Sequence, residues 1–382
     1  MGAAVTLPGG QRYQVRGGNG YPPGPPARSR VAYAAAHVVA DPSADNVPGA
    51  PAVLDWDATL AFREHLWRYG LGVAEAMDTA QRGMGLDYPA TRELIRRSGE
   101  RARAVGGRIA AGVATDQLPP GPASLAQIEQ AYTGQLADVL DAGVAPVLMC
   151  SRHLAAAARD AEDYLAVYGR LLARCARPAI LHWLGPMFDP ALHGYWGSAD
   201  PAEAGATVVE LVKAHADRVD GIKLSLLDSE FEVWLRGALP AGVRLYTGDD
   251  YHYPELIRGD AAGHSDALLG VFASIAPAAA AALRALDEGD LGRYDAVFAP
   301  TVPLARHLFG PPTPFYKTGV VFLAWLAGHQ RHFTMVGGLQ AGRSPAHLAR
   351  LLVLADEAGL LPDPDLAAAR ARAYFTVAGV AQ

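Results

Sequence analysis

The chain has 382 residues, of which 51% are hydrophobic and 19% charged, so it is long enough for one large globular domain or two ordinary ones. Its formal net charge of −6 gives no basic field for nucleic acid, and no uncharged apolar run is long enough to span a membrane. Residues 1–20 lack a signal-peptide pattern, and Cys150 and Cys175 have no disulfide or metal-ligand spacing. We therefore expect a cytoplasmic protein that binds a small molecule.

Glycine and proline are concentrated in residues 1–29, which predicts an extended N-terminal arm rather than a part of the core. From residue 31 onward, short apolar runs alternate with helical patterns. The runs predicted to be strands are 31–39, 72–77, 107–113, 145–150, 179–183, 221–225, 243–247 and 266–271. The helical patterns that follow them are 57–69, 89–104, 124–141, 160–175, 201–216, 229–237 and 253–259, with Asp57 and Ser124 as expected caps.

These strand–helix units predict an α/β fold, the closed (β/α)₈ TIM barrel, over residues 30–273. Residues 274–382 show only helical patterns, as in 278–289, 318–328 and 345–357, and predict a helical C-terminal extension. An open doubly wound sheet is the alternative. It is disfavoured because no Gly-x-Gly-x-x-Gly follows the first strand.

Polar residues follow nearly every predicted strand, at the edge where a barrel of this kind builds its active site. They are His37, Asp78, Thr79, Gln81, Arg82, Thr115, Asp116, Gln117, Ser151, Arg152, His153, His182, Asp189, Lys223, Ser225, Tyr246, Thr247, Asp249, Asp250 and His252. Each one taken alone is explained as well by a structural role, and Asp249 and Asp250 fit a cap of the next helix. Their number along one edge favours a binding site.

Lysine is rare in this chain, since only positions 213, 223 and 317 hold one among 33 lysines and arginines. Strand alternation places Ile222 and Leu224 on the face opposite Lys223, so Lys223 faces the barrel interior if those two face the helices. Desolvation there would lower the pKa of the amine and free it to condense with a ketone or aldehyde. Lys317 is better explained as a structural or rim residue, and Lys213 as an ordinary surface residue.

Four segments share motifs with a known superfamily. They are Val219-Asp-Gly-Ile-Lys223, Tyr246-Thr-Gly-Asp-Asp250, Ala267-Leu-Leu-Gly270 with Ile275-Ala-Pro277 after it, and Pro314-Phe-Tyr-Lys317. From residue 30 to the end, the chain resembles the dihydrodipicolinate synthase and N-acetylneuraminate lyase superfamily of class I aldolases, and within it a divergent branch of unknown function. The resemblance implies a Schiff-base lysine at Lys223, a Gly-Asp-Asp loop at 248–250 and a homo-oligomer, either a dimer or a tetramer.

Three motifs of this superfamily are replaced in the chain. Asp78-Thr-Ala-Gln-Arg82 stands where the family has Gly-Thr-Thr-Gly-Glu, which binds the substrate carboxylate. His182-Trp-Leu-Gly185 stands where the family has Tyr-Asn-x-Pro with a proton-relaying tyrosine, and Cys150-Ser-Arg152 where it has Pro-Tyr-Tyr. Segment 187–196 is additional and predicts a lid. The resemblance therefore implies imine chemistry, while these replacements argue against pyruvate as the donor.

The leading hypothesis is a class I aldolase or related lyase that acts on a keto sugar or sugar-derived oxo acid through an imine on Lys223. His182, with an expected pKa near working pH, would replace the family tyrosine as the proton shuttle. No separate cofactor is expected. The predicted substrate-binding residues are Asp78, Thr79, Gln81 and Asp116 for hydroxyl groups, Arg82 or Arg152 for a carboxylate or phosphate, and Ser225, Tyr246, Asp249 and Asp250.

Two alternatives stay open. A metal-dependent barrel hydrolase or isomerase would bind a divalent metal, although its candidate ligands have no recognisable spacing. Those ligands are His182, Asp189, His193, Asp249 and His252. A non-catalytic sugar-binding barrel would explain the missing family tyrosine, and it predicts ligand binding without turnover.

Overall fold

The computed structural model describes residues 3–18 and 20–382, so Met1, Gly2 and Asn19 of the predicted arm lie outside the described residues. The first described segment forms an antiparallel hairpin of β1 (Ala4–Thr6) and β2 (Arg12–Gln14). Val5 and Val15 of this segment are buried in the same apolar cluster as Phe375 near the C-terminus. The prediction that the arm stays outside the core is therefore wrong here, because alternation in the short strand places its apolar side chains on one face.

The eight predicted strands of the barrel are all present and parallel, and β10 pairs with β3 to close the barrel. The fold class predicted from the sequence is thus confirmed. The strands are β3 (Ala32–Ala35), β4 (Gly72–Glu75), β5 (Ile109–Val113), β6 (Ala145–Leu148), β7 (Ala179–Leu184), β8 (Val219–Ser225), β9 (Arg244–Thr247) and β10 (Asp266–Leu269).

Helices connect these strands and form the outer layer. They are α1 (Trp56–Arg68), α2 (Tyr88–Val105), α3 (Leu125–Asp141), α4 (Arg152–Ala157), α5 (Ala161–Arg174), α6 (Pro201–Ala214), α7 (Ser229–Ala238) and α8 (Tyr253–Arg258). Ser124 caps α3 in a capping box with Gln127, as its sequence predicts. Helix α1 is capped by Asp55 instead of Asp57, since the Asp55 carboxylate accepts a hydrogen bond from the Ala58 amide at 3.0 Å.

The C-terminal part is helical, as predicted. Its helices are α9 (Phe272–Asp287), α10 (Leu291–Phe298), α11 (Thr301–Leu308), α12 (Tyr316–Leu326), α13 (Pro345–Glu357) and α14 (Pro364–Val377). One buried apolar cluster contains residues of β3 and β10 together with residues of these helices. The domain boundary at 273/274 stays a prediction, and the two parts share their packing.

Side chains from alternate strand positions fill the barrel interior, as the alternation rule requires. Tyr33, Ala35, Ala74, Ala110, Val147, Ile180, Tyr246 and Leu268 form this inner cluster. In contrast, Ile222 and Leu224 belong to the apolar cluster shared with helices α3, α5 and α6. Lys223 therefore points into the barrel.

No helix among residues 3–18 and 20–382 combines the length and the hydrophobicity that a membrane span needs.

Candidate active site

Lys223 lies at the carboxyl end of the barrel, in a small pocket between the strand ends and the C-terminal helices. The side chain is only 6% exposed. Polar groups and aromatic rings share the lining of this pocket, which includes Asp78, Thr79, Phe188, Ser225, Asp250, Phe309 and Tyr316. A buried amine that borders a small cavity is the arrangement that covalent chemistry with a carbonyl compound requires.

Gly248, in the loop after β9, makes room for this lysine. A Cβ at position 248 would lie 2.2 Å from the Ser225 Oγ and 3.0 Å from the Lys223 Cε. The glycine amide donates to the Leu224 carbonyl at 2.7 Å, which holds the loop against β8. The Ser225 hydroxyl is buried and has no hydrogen-bond partner among the described residues. It is therefore free to bind a ligand.

Lys223 and Asp250 form a buried titratable pair. Burial lowers the pKa of the Lys223 amine, and the charges of Asp78 and Asp250 oppose that shift. Burial raises the pKa of Asp250 from 3.8 to about 8, against a hydrogen bond from the Val271 amide at 2.9 Å and the charge of Lys223. Both shifts favour a neutral pair, in which the amine is a nucleophile and the carboxyl group holds a proton.

Tyr316 and Thr79 bring a pair of hydroxyl groups to the lining of the pocket. The Tyr316 hydroxyl and the Thr79 Oγ1 are 2.8 Å apart, and both residues are buried. Phe309 stacks on the Tyr316 ring with the two centroids 4.3 Å apart. Burial raises the pKa of Tyr316 well above 10, and the charge of Asp78 adds to that effect. The phenol therefore stays protonated and can donate a hydrogen bond to a substrate oxygen.

His182 on β7 is the register partner of Lys223 on β8, which confirms that the two residues lie on adjacent strands. Neither ring nitrogen has a hydrogen-bond partner among the described residues, and the side chain is fully buried. Burial, followed by the charge of Lys223, lowers the pKa of His182 well below 6.5. The expected pKa near working pH is therefore wrong, because a histidine with no acceptor for its second proton stays neutral in this interior.

Buried Arg82 forms an ion pair with Asp116, whose side chain is 24% exposed, in place of a substrate site. The guanidinium donates to Asp116 at 2.7 and 2.9 Å and to the Gly112 carbonyl at 2.7 Å, and it also contacts the Gln135 amide oxygen. These contacts contradict the predicted roles of Arg82 and Asp116 in substrate binding, because the binding groups of both are occupied. Gln81 donates to the carbonyls of Met84 and Val336 through its Nε2, whereas its buried Oε1 has no hydrogen-bond partner among the described residues.

Tyr246 points away from the pocket, toward the amino ends of the strands. Its hydroxyl donates to the Asp220 carboxylate at the start of β8, and its ring packs edge-on against Tyr33. The predicted role of Tyr246 in substrate binding is wrong, because the two-residue period of β9 directs this side chain into the lower interior.

Asp249 and Asp250 are neighbours with different roles. Asp249 is buried and accepts hydrogen bonds from the amides of Tyr251 and His252 and from the His252 ring at 2.9 Å. It orders the turn before α8, which leaves Asp250 as the carboxyl group of this loop that lines the pocket. The predicted substrate role of Asp249 is therefore contradicted, whereas Asp250 remains a candidate.

Arg152 is 59% exposed at the start of α4, and its Nε donates to the Asp189 carboxylate at 2.6 Å. The same neighbourhood contains Lys317, which is buried even though its sequence context predicts a structural or rim residue. The Lys317 amine donates to the Pro314 carbonyl at 3.0 Å. Burial lowers the pKa of Lys317 to about 8, and the charges of Asp78 and Asp189 oppose that shift.

The five ligands of the metal alternative do not converge. Among residues 3–18 and 20–382, no three His, Cys, Asp or Glu side chains group as a metal centre requires. Asp249 contacts His252, while Asp189 pairs with Arg152. His182 is enclosed without a partner.

The predicted lid between β7 and α6 is anchored in part of its length. Tyr195 and Trp196 are buried, and the Tyr195 hydroxyl contacts the Tyr168 hydroxyl at 2.9 Å. Phe188, nearer the start of the segment, borders the pocket. The end of the segment is therefore packed into the core and its start borders the pocket, while the role of a lid stays a prediction.

Tyr316 and Phe309 of the pocket were not identified from the sequence. Both belong to the helical C-terminal part, more than 80 residues after Lys223 in the chain. The sequence offered one signal, the Pro314–Lys317 motif that opens α12, and its tyrosine is the residue that reaches Thr79.

The fold is that of dihydrodipicolinate synthase. The structure is similar to that of this enzyme from Aquifex aeolicus, with a TM-score of 0.66 and 13% identity over 87% of this chain and 99% of that chain. The E. coli K12 prophage protein YagE, of the dihydrodipicolinic acid synthase family and solved with pyruvate, gives a TM-score of 0.67 and 14% identity over 87% of this chain and 99% of YagE. A 4-hydroxy-tetrahydrodipicolinate synthase from Methylacidiphilum fumariolicum SolV gives a TM-score of 0.66 and 17% identity over 86% and 95% of the two chains.

The chain belongs to the family described as "Protein of unknown function (DUF993)", whose model matches residues 11–380. Among curated proteins, no sequence matches this chain. The chain therefore shares the fold of dihydrodipicolinate synthase and belongs to a family of unknown function.

Proposed function

We propose that this protein is a class I aldolase or related lyase, which cleaves or forms a carbon–carbon bond in a keto sugar or sugar-derived oxo acid through an imine on Lys223. The observation that carries the proposal is the buried Lys223–Asp250 pair at the carboxyl end of the barrel. The shared fold supports a lyase of this type, and the two buried groups supply the chemistry. Homo-oligomeric assembly and cytoplasmic location remain predictions.

In the first stage, the neutral Lys223 amine attacks the substrate carbonyl carbon and a carbon–nitrogen bond forms. The proton released by the amine moves to the carbonyl oxygen. Protonated Asp250 then gives its proton to that hydroxyl group, which leaves as water. A protonated imine remains beside the Asp250 carboxylate. Because Asp250 lies in the pocket with a pKa of about 8, it can give up and regain a proton during turnover.

In the second stage, the Asp250 carboxylate takes the proton of a hydroxyl group on the substrate carbon that lies two positions from the imine carbon. The bond between that carbon and the carbon next to the imine breaks, and its electron pair moves to the iminium. An aldehyde or ketone product leaves, and an enamine remains on Lys223. Asp250 returns its proton to the enamine carbon. Water then hydrolyses the iminium, and the second product, the free amine and protonated Asp250 are regenerated.

In this mechanism, Tyr316 and Thr79 orient the substrate. The protonated phenol donates a hydrogen bond, and the threonine hydroxyl orients the phenol from 2.8 Å away. His182 lies beside the lysine on the adjacent strand. Because its ring is neutral, it adds no positive charge next to the iminium.

Substitution of the lysine tests the proposal. We expect Lys223→Met to abolish carbon–carbon bond cleavage, with a loss of at least about 10³-fold, since a methionine fills similar space and has no nucleophile. Lys213→Met, on the outer helix α6, is the matched control and should keep full activity. Turnover by Lys223→Met at the wild-type rate would overturn the imine mechanism.

A further inference from the structure

Lysine and arginine charges at the pocket are matched by carboxylates. Lys223, Asp78 and Asp250 line the pocket. Lys317, Arg152 and Asp189 lie outside this lining and interact with Asp78 or with one another. A substrate carboxylate in a buried site needs a cation or hydrogen-bond donors to compensate its charge, so this balance bears on the kind of ligand that fits.

Each cation already has a carboxylate nearby. Arg152 and Asp189 form a direct ion pair at 2.6 Å. The charge of Asp250 acts on Lys223, and the charge of Asp78 acts on both lysines. Imine formation does not change this balance, because the positive charge of the protonated imine is matched by the Asp250 carboxylate that has given up its proton. A substrate carboxylate would bring a further negative charge into a buried, balanced site.

Two backbone amides of the turn after β4 cannot compensate for the lack of an unmatched cation. The Ala80 amide donates to the Met77 carbonyl and the Gln81 amide donates to the Asp78 carbonyl, both at 3.0 Å. This turn is a single unit of 3₁₀-helix, so these two amides are occupied by its own carbonyls. The arginine of the same turn, Arg82, is occupied by Asp116.

Hydroxyl partners, in contrast, are plentiful. The buried Ser225 Oγ has no partner among the described residues and borders the pocket. The Thr79 and Tyr316 hydroxyls form a pair that can both donate and accept. The half-buried Asp78 carboxylate accepts hydrogen bonds from hydroxyl groups without any change in net charge. These groups complement a ligand whose carbons carry hydroxyl groups.

We infer that the substrate is a neutral polyhydroxy ketone or aldehyde, with a hydroxylated carbon rather than a carboxylate next to its reacting carbonyl. The inference rests on the proposed function, and it selects the keto sugar over the sugar-derived oxo acid. It also separates this chain from YagE, which was solved with pyruvate.

Two three-carbon probes isolate this difference. Hydroxyacetone and pyruvate share a methyl ketone and differ only in a hydroxymethyl group against a carboxylate. Each is incubated with the full chain and cyanoborohydride, and the labelled fraction of Lys223 is measured by peptide mass spectrometry. We expect labelling by hydroxyacetone at least ten times that by pyruvate. Equal or greater labelling by pyruvate overturns the inference and leaves the imine mechanism standing, whereas no label at Lys223 with either probe overturns the proposed function itself.

Asp78→Asn tests the charge argument directly. The substitution keeps the shape of the side chain and removes one carboxylate, so Lys317 loses a counter-charge. We expect the ratio of pyruvate to hydroxyacetone labelling at Lys223 to rise about tenfold, the factor that corresponds to one pKa unit of charge interaction. Asp217→Asn, which removes a carboxylate that is 79% exposed and paired with Arg218, is the matched control and should leave the ratio unchanged. An unchanged ratio in Asp78→Asn contradicts the inference.

Discussion

The two ends of the barrel contain similar residue types in opposite states. At the amino end, Tyr246 donates to Asp220, and Arg244 pairs with Asp220 at 2.9 Å and with Asp266 at 3.2 Å. At the carboxyl end, Ser225 and His182 have buried polar atoms with no partner among the described residues. Asp250 there has a pKa raised to about 8.

This difference indicates that the amino end of the barrel contributes to stability and that the carboxyl end contributes to chemistry. A buried polar group without a partner costs free energy, so such groups at the edge where barrel enzymes bind their substrates are candidates for ligand contacts. The satisfied network at the amino end closes the bottom of the barrel. The polar groups without partners at the carboxyl end lie where barrel enzymes build their active sites.

The largest effect after loss of the lysine is expected for Asp250→Asn. The amide cannot exchange the proton that imine formation and bond cleavage require, so kcat should fall by about 10²- to 10⁴-fold. Burial raises the pKa of Asp250 to about 8, so the wild-type protein holds this proton below that pH and loses it above. Activity should therefore decline as pH rises through about 8. A pH profile of kcat/KM checks both points, and an alkaline decline that persists in Asp250→Asn would assign it to another group.

Removal of the Arg82 ion pair should act on stability. Arg82→Met leaves Asp116 and several acceptors without their donor, and we expect a loss of roughly 3 kcal/mol in the free energy of unfolding. Urea unfolding measures that loss, and KM measured at a temperature where the variant is folded should stay close to the wild-type value. A large rise in KM with unchanged stability would return Arg82 to the substrate site.

Gly248→Ala should close the space that the lysine uses. The added Cβ would meet the Ser225 Oγ and the Leu224 carbonyl oxygen at 2.2 and 2.7 Å. We expect a loss of about 1–3 kcal/mol in stability from overpacking, together with slower reductive labelling of Lys223. Gly237→Ala, on outer helix α7 where a Cβ meets nothing within 4 Å, is the control. Wild-type labelling in Gly248→Ala would show that the lysine does not depend on this close approach.

The same substitution at each end gives the finest comparison. Tyr246→Phe removes the hydrogen bond to Asp220 and should cost about 1 kcal/mol of stability with kcat unchanged. Tyr316→Phe removes the hydrogen bond to Thr79 and should lower kcat about tenfold or more, because the substrate loses a donor. Thermal unfolding and steady-state kinetics on both variants separate the two effects. A fall in kcat for Tyr246→Phe alone would reverse the assignment of the two ends.

Local periodicity was enough to predict the eight strands and the inward direction of Lys223. Ile222 and Leu224 mark the outer face of β8, and nothing distant is needed to interpret them. The protonation state of His182 could not be predicted in this way, because its pKa depends on burial by strands that are far away in sequence. The role of Arg82 likewise depends on Gln135, which lies 53 positions further along the chain.

The residues that the C-terminal helices contribute to the site could not be predicted from the sequence either, because they reach the pocket only through contacts between distant parts of the chain. Tyr316 reaches Thr79 across 237 positions, and only the packed barrel brings the two hydroxyls together. Lys317 shows the same limit, since its position at the start of an apolar helix indicates a structural residue and gives no sign of its burial beside Asp78 and Asp189.

Reductive trapping of the lysine tests the central claim most directly. The full chain is treated with hydroxyacetone and cyanoborohydride, and the modified peptide is identified by mass spectrometry. Only three lysines compete, at positions 213, 223 and 317, so the site of modification is unambiguous. The imine mechanism predicts one stable adduct, on Lys223, that is absent from Lys223→Met. An adduct on Lys317 instead, or equal labelling of exposed Lys213, would contradict it.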